Sequence, residues 1–187
     1  MAVTKPDKPR KTVRRRSPNP ARARERFGPV ETFYARAIAI EREAAARYRE
    51  FAHQMAGYGN TPTAELFQRL ARFESEHAEQ LLETTAGMTL PPIEQVRRDL
   101  ASDHHSEVST YEFLYRRVLP HHALLMALAA ERRAKAYFER AKNSSKDPVI
   151  RKLSSAYARE EAEHIAWLEQ ALAAEPQTVH RFDDLED

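Results

Sequence analysis

Residues 72–82 read RFESEHAEQLL. Leu66, Leu70 and Phe73 lead into this stretch at spacings of three and four, and Leu81 continues the series, so the apolar positions trace one face of a helix. Glu74 and His77 fall on that same face. A carboxylate and an imidazole thus stand where a core belongs, and burying such groups without partners costs several kcal/mol each. Far along the chain, residues 159–169 read REEAEHIAWLE, where Glu161 and His164 repeat the spacing of Glu74 and His77. Residues three apart on a helix share a face, so both side chains of each pair can reach one point.

The surrounding pattern is helical. Pro29 opens a first helix on which Tyr34, Ile38, Glu41, Ala45, Tyr48 and Ala52 share a face, and Gly57 and Gly59 stop it. Thr61 followed by Pro62 reads as an N-cap and a first-turn proline, and the second helix runs from there to about Thr85. Residues 88–119 form a long connection with short helical pieces expected around Ile93–Leu100 and Tyr111–Val118. Pro120 starts a third helix carrying Leu124, Ala127, Glu131, Ala134 and Phe138 on one face, broken at Asn143-Ser144-Ser145. Asp147-Pro148 caps and starts a fourth, with Ile150, Leu153, Tyr157, Glu161, His164, Leu168 and Leu172 in register, and Pro176 closes it. Each main helix exceeds 20 residues, hence roughly 30–40 Å. Two helical hairpins joined by one long crossover predict an all-α, ferritin-like four-helix bundle. The expected organisation is a disordered basic tail over 1–28, the bundle over 29–175 and an acidic tail over 176–187.

The first and third helices each place one acid on the apolar stripe, Glu41 and Glu131. Glu41 precedes Glu74 by 33 positions and Glu131 precedes Glu161 by 30, so both halves repeat one pattern of a Glu followed by a Glu-x-x-His. Four carboxylates inside one bundle repel each other and resist ionisation, and two divalent cations would neutralise them. Glu41, Glu74, His77, Glu131, Glu161 and His164 are therefore the candidate ligands of a di-metal site, the constellation of di-iron and di-manganese carboxylate bundles. Oxygen-rich donors with two imidazoles and no sulfur suit two iron ions, or manganese, while zinc stays open. Glu160 competes with Glu161, and the spacing to His164 favours Glu161. Glu43, Glu50, Glu76, Glu79 and Glu163 read as solvated acids. The pairs His104-His105 and His121-His122 read as surface histidines, Tyr48 and Tyr157 as packing residues, donors to ligand carboxylates or interceptors of radicals, and Trp167 as core or interface.

The first helix from Glu41 to Ala52, with Glu41 and Tyr48 seven apart, resembles the first helix of the rubrerythrin ferritin-like domain. The ESEH stretch resembles its second helix, and LMALAAERRAKAYFERA its third, so the resemblance covers about residues 30–174. It implies a di-iron site. Typical rubrerythrins add a cysteine-ligated rubredoxin iron and a further glutamate one turn after the third-helix ligand. Here there is no cysteine, and that position is Ala134, beside Lys135. The implied ligand set of four Glu and two His is similar to the ferroxidase centre of bacterioferritin.

Composition agrees with this reading. The chain has 187 residues, 42% hydrophobic, with only 4 Gly, which favours long helices over sheets and tight turns. The missing cysteine excludes disulfides, thiolate zinc sites and iron–sulfur clusters, and fits a cytoplasmic protein. No apolar run of membrane-spanning length occurs and none follows the N-terminal arginines, so neither a span nor a secretory signal is expected. The net charge of +2 conceals an asymmetry, because residues 1–26 carry 10 Lys or Arg against 2 acids and the remainder is net acidic. That basic segment is either a solvated tail or a contact for nucleic acid.

The leading expectation is a di-iron oxidoreductase that reacts with O2 or H2O2, reducing peroxide or oxidising ferrous iron, with electrons from an external donor and a homo-oligomeric, preferably dimeric, state. Iron storage or sequestration, a ferritin-like hydroxylase, and a DNA-protecting protein using the basic tail are the alternatives.

Overall fold

The structure is a computed structural model that describes residues 29–103 and 118–175. It has five helices among the described residues: α1 Pro29–Gly57, α2 Thr61–Thr84, α3 Ile93–Asp103, α4 Pro120–Ser144 and α5 Pro148–Ala174. Among the described residues there is no strand. The fold is an all-α, ferritin-like bundle of four long helices, with α3 on the path between the hairpins. The basic segment 1–28, the acidic end 176–187, His104-His105 and the expected helical piece beginning at Tyr111 lie outside the described residues.

The helix ends follow from local chemistry. Gly59 adopts a φ of 72°, a left-handed conformation that glycine enters without steric cost, and the Asn60 N–H returns to the Met55 carbonyl at 3.0 Å to close α1. The cap of α2 is Asn60, one residue before the expected Thr61: its side chain accepts from the Thr63 N–H at 3.2 Å, and Thr61 already belongs to the helix. Asp147 caps α5 as expected, accepting from the Val149 N–H at 2.8 Å. At the far end of α5, Glu175 accepts from the Asn60 side chain at 3.0 Å, which ties this end to the start of α2.

The helices pack chiefly as two hairpins, α1 with α2 and α4 with α5, and the hairpins meet along α1–α4 and α2–α5. Apolar residues fill both ends of the bundle. One cluster gathers Tyr48, Phe51, Met55, Phe67, Leu70, Leu124 and Leu168. The other gathers Phe33, Tyr34, Ile38, Leu81, Phe138, Ile150 and Tyr157. Helix α3 covers the small-residue face of α1, with Val96 against Ala35 and Ala39. Between the two clusters lies a layer that is not apolar.

Candidate metal centre

That middle layer contains all six residues selected from the sequence. Helix α1 supplies Glu41, α2 supplies Glu74 and His77, α4 supplies Glu131, and α5 supplies Glu161 and His164. Glu41 and Glu74 are 0% and 1% exposed, and Glu131, Glu161 and His164 are equally enclosed. His77 is the most open, with its side chain 12% exposed. Ligand-type atoms of Glu74, Glu131, Glu161 and His164 all lie within 4.8 Å of one another, and those of Glu41, Glu74 and His77 form a second such group. Glu74 belongs to both. His164 Nδ1 lies 2.9 Å from Glu74 Oε1 and 3.7 Å from Glu131 and Glu161 oxygens. His77 Nδ1 lies 3.5 Å from Glu41 Oε2 and 3.7 Å from Glu74 Oε2.

Proximity does not satisfy these atoms. Both Glu41 oxygens, Glu74 Oε1, Glu161 Oε2, His77 Nδ1 and His164 Nδ1 are buried without a properly directed hydrogen bond. The 2.9 Å approach of His164 to Glu74 is close in distance, but its angle does not suit a hydrogen bond. Buried polar groups are normally paired, so six orphaned atoms facing one another mark a binding site rather than a core. The donor set, four carboxylates and two imidazoles, fits two divalent cations of the iron or manganese type.

Protonation equilibria carry the same signature. Burial, then contact with Glu74 and its charge, pushes Glu41 well above the usual carboxylate range. Burial and the neighbouring Glu131 do the same to Glu161. For Glu74 burial acts in the same sense, but contacts with Glu41, His164 and His77 outweigh it and hold the group below the usual range. Burial opposes charging of His164, yet Glu131, Glu161 and Glu74 push it up to about 12. His77 is likewise raised, against its burial, by Glu74 and Glu160. Protons thus take up the charge compensation that cations would supply.

The flanking residues resolve several open readings. Glu161 is buried, whereas the Glu160 side chain is 40% exposed and places Oε2 3.5 Å from Nε2 of His77. Glu160 thereby contacts the outer nitrogen of the imidazole, a role that sequence reasoning missed. Its spacing of four to His164 is the one sign that it stands beside the stripe. Tyr48 is fully buried and donates its hydroxyl hydrogen to Glu131 Oε1. Tyr157 donates instead to the backbone carbonyl of His77 at 3.4 Å and sets its ring edge-on to that imidazole. Trp167 packs on the core, with its ring 5.3 Å from that of His164 and 5.6 Å from Phe73. His122 is exposed as expected, while His121 is half-buried with Nδ1 unpaired, outside both ligand groups.

The rubrerythrin family model matches residues 33–113, a segment that contains Glu41, Glu74 and His77. An uncharacterized conserved protein from Magnetospirillum magnetotacticum MS-1, known from its crystal structure, is 32% identical. It aligns over 80% of this chain and 97% of its own, with a TM-score of 0.67. This chain belongs to the rubrerythrin family. No curated protein matches it significantly. Rubrerythrins are di-iron proteins and often oxidoreductases. In this rubrerythrin-family chain, Glu131, Glu161 and His164 lie beyond the matched segment and repeat its Glu and Glu-x-x-His. No described helix is long and apolar enough to cross a membrane.

Proposed function

We propose that this chain is a di-iron carboxylate oxidoreductase that reacts with O2 or H2O2, reducing peroxide or oxidising ferrous iron. The observation that carries the reading is the sharing of Glu74 between two groups of buried, unpaired donors. Glu41 and His77 would hold one ion, Glu131, Glu161 and His164 the other, and Glu74 stands where it can serve both. These residues would hold two irons close together, and such a pair would supply two electrons at one place to an O–O bond.

The chain's own contribution is charge, proton placement and exclusion of water. Glu41 and Glu161 bind protons more tightly than ordinary carboxylates in the metal-free chain, and cations held there would compete with those protons. Tyr48 keeps its proton because burial and the charge of Glu131 raise its pKa well above the usual phenol range. It remains a hydrogen-bond donor to Glu131 throughout the neutral range. The apolar clusters at both ends of the bundle keep bulk water from the carboxylates, so their charges act at full strength. The side open to small reactants is that of His77, the least enclosed of the six.

Anaerobic loading with ferrous iron, followed by mixing with O2 or with H2O2, tests the reading. Two irons bound per chain and rapid oxidation by one of these are expected, and the faster oxidant names the activity. A chain that binds no iron, or whose bound iron is inert to both oxidants, refutes it.

A further inference from the structure

The proposed reaction consumes electrons, and none of the 187 residues is a cysteine. The chain therefore cannot ligate a rubredoxin-type iron or an iron–sulfur cluster through thiolates of its own to pass electrons inward. Among the described residues, three oxidisable aromatic side chains lie against the candidate centre: Tyr48 on Glu131, Tyr157 on His77 and Trp167 on His164. Two of them are sealed in, Tyr48 at 0% and Tyr157 at 4% exposure. Trp167 differs, because its indole is half-buried and joins the His164 ring to the protein surface. Phe73 braces both rings, 5.9 Å from His164 and 5.6 Å from Trp167.

The outer face of this indole is prepared electrostatically. The Arg69 guanidinium carbon sits 4.2 Å from the indole centroid, a cation–π contact that fixes the ring. Arg69 is exposed on α2 and has no salt-bridge partner among the described residues. Glu163 and Gln170 are exposed one turn from Trp167 on α5, so the cation held against the ring itself is Arg69 of α2.

We propose that Trp167 is the electron port of the centre, where a one-electron carrier protein with an acidic face docks against Arg69 and passes electrons through the indole toward His164 and the metals it would hold. The inference rests on the di-iron reading above. Each encounter oxidises the carrier by one electron and reduces the centre by one. Trp167 makes and breaks no bond. Two encounters restore the two electrons that take H2O2 to two waters with two protons from solvent, and O2 taken through peroxide to water needs two such rounds, four electrons and four protons in all.

The test uses the full chain loaded with iron and oxidised, with two reductants: dithionite, and a reduced plant-type [2Fe–2S] ferredoxin as an acidic carrier. The readout is the ratio of the two re-reduction rates per bound iron, so partial loss of metal in a variant cancels. Trp167→Leu is expected to lower that ratio on the order of tenfold, since it removes the ring but not the metal donors. Arg69→Glu, a surface change that spares folding, is expected to lower the ferredoxin rate by a similar factor and to flatten its salt dependence. Before any turnover, anaerobic Co(II) titration of the wild-type chain should quench the emission of its sole tryptophan, saturating at two ions. Unchanged ratios in both variants overturn the port while leaving the di-iron reading intact. Emission indifferent to bound metal also overturns it. A wild-type chain that binds no metal overturns the di-iron reading itself.

Discussion

The Tyr48 hydroxyl donates a hydrogen bond to Glu131 across the bundle. Seven residues after the α1 ligand position stands this tyrosine, and seven after the α4 position stands Phe138, which has no hydrogen to offer Glu41. The two halves repeat their carboxylates and imidazoles but not this donor, and both Glu41 oxygens are without a partner. Tyr48→Phe should therefore destabilise the metal-free chain by about 1–3 kcal/mol, the cost of orphaning a buried acceptor. Urea unfolding in the presence of a chelator measures it.

Sharing of Glu74 between the two donor groups predicts unequal effects of ligand substitutions. Glu74→Gln should abolish binding of both ions, whereas Glu41→Gln or His77→Ala should leave about one ion per chain. Glu160→Gln should retain both, because that side chain reaches only the outer nitrogen of His77. Iron or manganese content after anaerobic loading and desalting separates these outcomes. Loss of only one ion in Glu74→Gln would show that Glu74 is not shared.

Most of this arrangement is legible in the sequence because helical spacing is a strict rule. Once Leu70, Phe73 and Leu81 define the buried stripe, Glu74 and His77 must lie on it, and the repeat in REEAEHIAWLE supplies the other side. What spacing cannot reveal is how neighbouring helices are set against each other. The contact of Glu160 with His77 and that of Trp167 with His164 and Phe73 depend on how α2 and α5 face each other, so the sequence left these residues as a rival ligand and a core or interface residue. The cap of α2 illustrates a finer limit. Asn60 and Thr61 can both cap a helix, and the choice depends on which side chain meets the Thr63 N–H.

Packing around Tyr48 couples stability to the site. Phe67 is completely buried, stacked 5.9 Å from the Tyr48 ring and 5.2 Å from Phe51. Phe67→Ala should cost about 3–5 kcal/mol through lost burial and the cavity left behind. Phe67→Leu keeps most of the volume and should cost less. Thermal denaturation of the two metal-free variants, with the Tyr48→Phe background as a second cycle, should reveal coupling between Phe67 and Tyr48.

Stability against pH should change sign with metal occupancy. In the metal-free chain Glu41 and Glu161 titrate above their ordinary value of 4.5, and His77 and His164 above 6.5. Each of these groups binds its proton more tightly folded than unfolded. The carboxyl contribution is complete below 4.5 and the imidazole contribution below 6.5, and each fades as pH rises through the folded value. Glu74, held below the usual range, acts in the opposite sense, but only below 4.5. The Tm of the chelated protein should therefore fall as pH rises from about 6.5. With manganese or ferrous iron bound, cations replace those protons, so rising pH tightens binding and Tm should rise over the same range. Calorimetry of metal binding in two buffers of different ionisation heat should show net proton release. Parallel pH slopes for the loaded and chelated protein, with no proton released, would mean that these buried acids and imidazoles do not hold the metal.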